Sequence, residues 1–101
     1  MTNYFTFTKR VAASGSGYLV WIPKNVVDFL SIDENTFLEA KVCRLNKDSK
    51  ESRSEEIIFT KKTALSGRGY LLWIPKDVSD YLCINPGSFC EFKIRVLGGI
   101  K

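Results

Sequence analysis

Apolar and polar residues alternate along several stretches of the chain, which is typical of strands with one buried face. In residues 4–11, Phe5 and Phe7 fall on one face, and Thr6 and Thr8 fall on the other. Residues 36–45 and 88–97 alternate in the same way. We therefore predict a strand in each stretch, with its apolar face toward the core. In the last strand the apolar face consists of Cys90, Phe92, Ile94 and Val96.

Three other patterns lie between the first two of these strands. Residues 18–22 are apolar at every position and end at Pro23, which predicts a strand that is buried on both faces or lies in a small closed barrel. Residues 25–31 space their apolar side chains by three and four, which predicts a helix of about two turns. The small residues of 12–17, with two glycines, predict a turn. A phosphate-binding loop is the alternative there, but we reject an NTPase because no Gly-Lys-Ser/Thr sequence follows.

The whole order of elements occurs twice, with Pro23 returning as Pro75 after 52 residues. The segments 14–24 and 66–76 read SGSGYLVWIPK and SGRGYLLWIPK. Each repeat is predicted to contain strand, strand, short helix and strand. Because units of about 40 residues rarely bury enough surface to fold alone, we predict one mainly-β, pseudo-symmetric domain over 1–101. Repeat one, a polar connector and repeat two span 4–45, 46–56 and 57–97.

The charge of the chain permits nucleic-acid binding. Lys and Arg number 15 against 11 Asp and Glu, which gives a net charge of +4 and a pI of about 9.1. Six basic and three acidic side chains fall within residues 57–97, so repeat two carries most of the excess. A basic excess of this size attracts polyanions without proving that one is bound.

The composition argues against an enzyme, a metal site and a membrane protein. The chain has no His, and its three cysteines form no Cys-x-x-Cys pair, so we predict no zinc site and no cofactor. No acids are placed for general acid–base catalysis, so we predict no catalytic residue. Neither a signal sequence nor an apolar run of membrane-spanning length occurs. We expect a cytoplasmic protein whose cysteines are reduced: Cys43, Cys83 and Cys90.

The succession of strand, glycine loop, apolar run, Ile-Pro-Lys, short helix, turn and strand resembles the AbrB/MazE/SpoVT family of swapped-hairpin DNA-binding domains. In repeat one the resemblance is carried by Lys9, Gly15, Gly17, Ile22-Pro23-Lys24, Val26, Leu30, Ile32, Phe37 and Glu39. In repeat two it is carried by Lys61, Gly67, Gly69, Ile74-Pro75-Lys76, Val78, Leu82, Ile84, Phe89 and Glu91.

The resemblance implies a fold and a function for the chain. Family members are homodimers whose hairpins interleave into one small β-barrel, so the resemblance implies a swapped-hairpin barrel made by two fused copies. Members act as transcription regulators, or as antitoxins that also repress their own operons. The chain departs from the family in two ways: we find no fourth strand after Leu45 or Leu97, and the halves have diverged, so the two half-sites need not be identical.

The resemblance also implies that DNA is contacted by the end of the first strand and by the glycine loop. Basic residues on one face neutralise phosphates and make binding salt-dependent, and bidentate base reading favours the arginines for specificity. Two further lysines, Lys24 and Lys76, lie near the predicted helix starts, where a cation opposes the helix dipole, which suggests a phosphate contact. The alternative is the solvated face of a mildly basic protein. The candidate DNA-binding residues are Lys9, Arg10, Ser16, Lys24, Lys61, Lys62, Arg68 and Lys76.

Aromatic residues of the apolar run offer a second kind of contact with nucleic acid. Tyr18, Trp21, Tyr70 and Trp73 are either stacking platforms for single strands or core residues of the barrel, and we favour the core.

We predict a sequence-specific double-stranded DNA-binding protein that regulates transcription. The alternatives are a protein-interaction module such as an antitoxin, and a protein that coats nucleic acid without sequence preference. We expect no toxin partner, because family antitoxins carry a long tail and this chain stops about four residues past its last strand. Self-association of the fused dimer stays open, and no membrane partner is expected.

Overall fold

The computed structural model describes residues 4–15, 17–45, 56–67 and 69–97. Each repeat contains four strands and one short helix. Repeat one consists of β1 (Phe5–Arg10), β2 (Ala12–Ser14), β3 (Gly17–Trp21), α1 (Lys24–Leu30) and β4 (Phe37–Arg44). Repeat two consists of β5 (Ile57–Lys62), β6 (Ala64–Ser66), β7 (Gly69–Ile74), α2 (Lys76–Leu82) and β8 (Phe89–Val96). The connector 46–56 lies outside the described residues except for Glu56.

The predicted order of strand, strand, helix and strand is wrong by one strand in each repeat. The stretch 12–17, predicted as a turn, begins with the three-residue strand β2. Its small residues have weak β propensity, so no local signal marks it. Gly15 then turns the chain with a φ of 56°, and β2 folds back onto β3, with Ala12 opposite Leu19.

The strands form two antiparallel four-stranded sheets, and each sheet takes strands from both repeats. Sheet A has the order β1-β8-β4-β5, and sheet B has the order β2-β3-β7-β6. The first strand of each repeat therefore pairs with the last strand of the other. In the central pairs Lys41 lies opposite Lys93 and Val20 opposite Leu72, each facing its own counterpart in the other repeat. An internal pseudo-twofold axis thus passes through the centres of both sheets.

The two sheets meet where the chain bends at Val11 and Thr63, between the first two strands of each repeat. The backbone of Val11 bonds to the turn of the other repeat, through Val11 N–Ser88 O (2.9 Å) and Gly87 N–Val11 O (2.8 Å). Pairing changes at this bend from β8 to β3. Within the described residues the ladders make two separate sheets and no closed barrel, so the closed barrel that the resemblance implies is not found.

One hydrophobic core lies between the sheets and the helices. The predicted inner faces of β4 and β8 are confirmed, because Leu38, Ala40 and Val42 are fully buried, as are Phe92 and Ile94. Each helix adds a buried valine at equivalent positions, Val26 and Val78.

Both helices lie close to the predicted ranges and end in the same way. Ser31 and Cys83, the residues that follow them, adopt the left-handed conformation at φ 56° and 57°, and their amides bond back to helix carbonyls. No helix within the described ranges is long and apolar enough to cross a membrane.

Candidate nucleic-acid interface

The structure places the two basic pairs of the predicted site at opposite corners of sheet A. Lys9 and Arg10 end β1, and Lys61 and Lys62 end β5. These strands are the two edges of the sheet and run antiparallel to one another. The corners are separated by three strand spacings of about 4.8 Å across the sheet and by the length of an eight-residue strand along it. On a flat sheet, the diagonal between the corners is therefore about 27 Å. The pairs are therefore related by the pseudo-twofold axis and do not form one cluster.

Because successive side chains of a strand point to opposite faces, the two basic side chains of each pair point in different directions. Arg10 is exposed on the outer face of sheet A, whereas Lys9 is half-buried at the edge. The guanidinium of Arg10 lies 5.3 Å from the ring centroid of Phe89 and donates a hydrogen bond to the carbonyl of Gly87 at 3.3 Å. This packing holds the extended side chain in place and leaves it exposed. Both lysines of the β5 corner are exposed.

Across the described ranges, no Asp or Glu forms an ion pair with Lys9, Arg10, Lys61 or Lys62. The middle of the outer face of sheet A differs, because Arg95 Nε and Glu39 Oε1 form an ion pair at 2.5 Å. Hydrogen bonds from Arg95, and then from Tyr4, lower the pKa of Glu39. Within the described ranges, no ion pair thus neutralises the four corner cations of sheet A.

The lysines that begin the helices already have local partners. Lys24 pairs with Asp28 at 3.5 Å and Lys76 with Asp80 at 3.1 Å, one helical turn along in each case. All four side chains are exposed, so the pairs are screened and stabilise the helices little. A phosphate would have to compete with these carboxylates. The two predicted loop residues, Ser16 and Arg68, lie outside the described residues.

The outer face of sheet B carries an apolar depression that was not predicted. Residues directly opposite each other in adjacent strands share a face, and the register pairs Leu19 with Trp73 and Trp21 with Leu71. These four residues form the floor of an open trough of about 450 Å³, whose rims are β2 and β6. We call this feature the tryptophan trough. None of the described residues that line it is charged.

The aromatic residues of the apolar run therefore divide between the two faces of sheet B. Tyr18 and Tyr70 are half-buried and pack against the core, as predicted. The prediction that Trp21 and Trp73 fill the interior is wrong, since alternation turns them to the outer side. The face that the two tryptophans occupy can be assigned only from the strand register.

Comparisons with known proteins identify a shared fold. No family model matches the chain, and no curated protein matches it. Among solved structures, the chain is similar to PHS018 from Pyrococcus horikoshii, which has a solution structure. The TM-score is 0.73 and the sequence identity 27%, and the match covers 100% of this chain and 97% of that one. The two chains thus share an overall fold over nearly their full lengths.

Among the residues that the structure describes, no three of His, Cys, Asp or Glu lie close enough together to hold a metal ion. Cys43 and Cys90 are buried, and Cys83 is exposed. Burial raises the pKa of Cys90 to about 11, with a smaller contribution from Cys43.

Proposed function

We propose that the protein binds double-stranded DNA in a sequence-specific manner and regulates transcription, with the swapped-hairpin fold of the AbrB/MazE/SpoVT family. The observation that supports this most is the recurrence of a basic pair, free of carboxylate partners in the described ranges, at two pseudo-twofold corners. The exchange of first and last strands between the repeats supports the fold.

The spacing of the two corners suits a duplex. Their separation of about 27 Å is shorter than one turn of B-DNA, about 34 Å. One turn of duplex is therefore long enough to contact both corners, and its own local twofold axes match the symmetry of the protein. Lys9, Lys61 and Lys62 neutralise phosphates, and Arg10 adds the planar donor group that reads guanine edges.

The test is fluorescence anisotropy of a labelled 30-bp duplex of mixed sequence over a salt series. We compare the wild type with the four-site variant K9Q/R10Q/K61Q/K62Q. If the three lysines contact phosphates while Arg10 reads a base edge, the magnitude of the slope of log K against log salt should fall by about 2.7, at about 0.9 per phosphate contact. A selection from random duplexes then distinguishes a regulator, which enriches a sequence, from a coating protein, which does not.

A matched control is the variant K41Q/K93Q. These lysines are also related by the pseudo-twofold axis, but they lie at the centre of sheet A. Lys93 pairs there with Glu56 at 3.5 Å, and Lys41 lies over the ring of Tyr4. The control should keep the wild-type salt slope. No duplex binding at low salt by the folded protein, or equal slopes for both variants, contradicts the proposal.

A further inference from the structure

The tryptophan trough has the shape of a platform for flat ligands. It lies across the pseudo-twofold axis, because its floor is made of the central strands of sheet B. The rim side chains that share its face are small, namely Ala12 and Ser14 on β2 and Ala64 and Ser66 on β6. Small rims leave the indole rings uncovered, and both rings are half-buried rather than buried.

The indole ring of Trp73 packs closely against the backbone of sheet B. The ring of Trp73 packs on Gly17, where an added Cβ would lie 3.2 Å from its Cζ3 atom. A glycine there lets the aromatic ring approach the backbone. The ring is therefore supported on one side by the sheet, while the trough opens on the other. A fixed aromatic ring loses little entropy when a second ring stacks on it.

A cation precedes each rim of this uncharged floor. Arg10 ends β1 and Lys62 ends β5, each two residues before the rim strand β2 or β6 begins. The Cα atoms of residues two apart are separated by at most about 7 Å, the value for an extended strand. The pseudo-twofold axis relates these two strand ends, which lead into opposite rims of the trough. An elongated polyanion that carries flat apolar groups matches this arrangement.

A second copy of this chain matches it less well. The chain carries a net charge of +4, and two copies joined through their troughs would bring like-charged corners together. Like charges opposed across an interface are unfavourable. Charge therefore favours nucleic acid over self-association as the occupant.

We infer that the tryptophan trough stacks unpaired bases of a single-stranded nucleic acid, while Arg10 and Lys62 neutralise the adjoining phosphates. Aromatic platforms flanked by basic side chains bind single strands with little sequence preference, because every base has a π-face. The inference rests on the proposed function for its cations and extends the ligand to melted or single-stranded segments.

The test is a titration with a deoxythymidine dodecamer, which forms no duplex. The chain contains two tryptophans, and both lie in the trough, so intrinsic fluorescence reports on this site alone. We expect quenching on binding. The variants W21L and W73L keep the floor apolar and should each weaken binding of a labelled dodecamer by about 5- to 150-fold. The control F29L removes an aromatic that is 70% exposed on α1, and it should bind like the wild type.

The outcomes separate this inference from the proposed function. Quenching by the dodecamer, with weaker binding by W21L and W73L and unchanged duplex binding, supports the trough as a single-strand site. Saturating dodecamer without quenching, or tryptophan variants that bind like the folded wild type, overturns it. Tryptophan fluorescence that changes with protein concentration alone, together with a doubled mass, also overturns it by showing a second copy in the trough. Loss of duplex binding alone leaves the dodecamer result standing and contradicts only the proposed function.

Discussion

The two repeats fill the centre of the core with side chains of unequal size, and this asymmetry can be tested by exchange. Ala40 and Phe92 are counterparts in the two repeats, and both are fully buried. The register pairs Ala40 with Ile94 and Val42 with Phe92. Positions 40 and 92 are therefore diagonal neighbours, about 7–8 Å apart. We predict that the two positions share one space.

The expected energies follow from burial. Phe92 is 0% exposed, and its ring stacks on Phe7 with centroids 5.4 Å apart, so F92A should lower the free energy of unfolding by about 3–5 kcal/mol. A40F alone overpacks the core and should cost about 1–3 kcal/mol. In the double variant A40F/F92A the new ring enters the vacated space. We expect the free energy of unfolding of the double variant to fall by about 2–3 kcal/mol less than the sum of the two single losses.

Urea unfolding, followed by tryptophan fluorescence and by circular dichroism, measures all four free energies. The slope against urea should stay the same, because the surface exposed on unfolding changes little. F92L provides a milder truncation if F92A does not fold. The control is F37A. Because Phe37 is 50% exposed, this substitution should lower the free energy of unfolding by less than about 1 kcal/mol. Additive single effects would refute the shared space and with it the register between β4 and β8.

Two further predictions concern titratable groups. At pH 8, Cys83 should be the one thiol that reacts with Ellman's reagent in the native protein, because Cys43 and Cys90 are buried. Cys90 also stays protonated, since its pKa is about 11. Rapid reaction of all three thiols before unfolding would contradict this prediction. The pKa of Glu39 is lowered from 4.5, first by Arg95, so its stabilising effect is present above pH 4.5 and is lost as pH falls through the lower folded value. The melting temperature of E39Q should thus lie below that of the wild type at pH 7 and approach it near pH 3; an equal deficit at both pH values would count against the ion pair.

Strand faces were readable from the sequence because alternation is a local property. Phe5 and Phe7 face inward, and Ile58 and Thr60 face outward, since each residue's side follows from its neighbours. The short strand β2 was missed because its pairing with β3 depends on the turn at Gly15 and not on propensity.

The layout of the candidate site could not be predicted, because sheet order is not local. The glycine loops and basic strand ends suggested one binding surface. The exchange of strands between repeats instead places β1 and β5 at opposite edges. Trp21 and Trp73 were assigned to the interior because a run that is apolar at every position hides its own alternation. Only the pairing of Leu19 with Trp73 resolves which face each residue takes.

Fusion of the two repeats removes a constraint that binds every homodimer. In a homodimer, both counterparts across the axis are the same residue, so a large side chain cannot face a small one at equivalent positions. Here Phe92 fills space beside Ala40. Similarly, Thr63 donates a hydrogen bond to the carbonyl of Asp33 at 2.7 Å, while its counterpart, Val11, buries a purely apolar side chain. Each half is therefore complementary to the other rather than a copy of it.

The same freedom extends to the surface proposed to bind nucleic acid. Arg10 at the end of β1 has Lys62, at the end of β5, as its counterpart. These cations differ in kind, because the guanidinium makes paired, planar hydrogen bonds whereas the ammonium acts as a point charge. The two repeats also differ in sequence at these loops, where Ser16 of repeat one corresponds to Arg68 of repeat two. A bound strand or duplex would meet two unlike ends within one pseudo-symmetric frame. We therefore expect the preferred nucleic acid to be directional, with its more specific contacts at one end, and not a perfect palindrome.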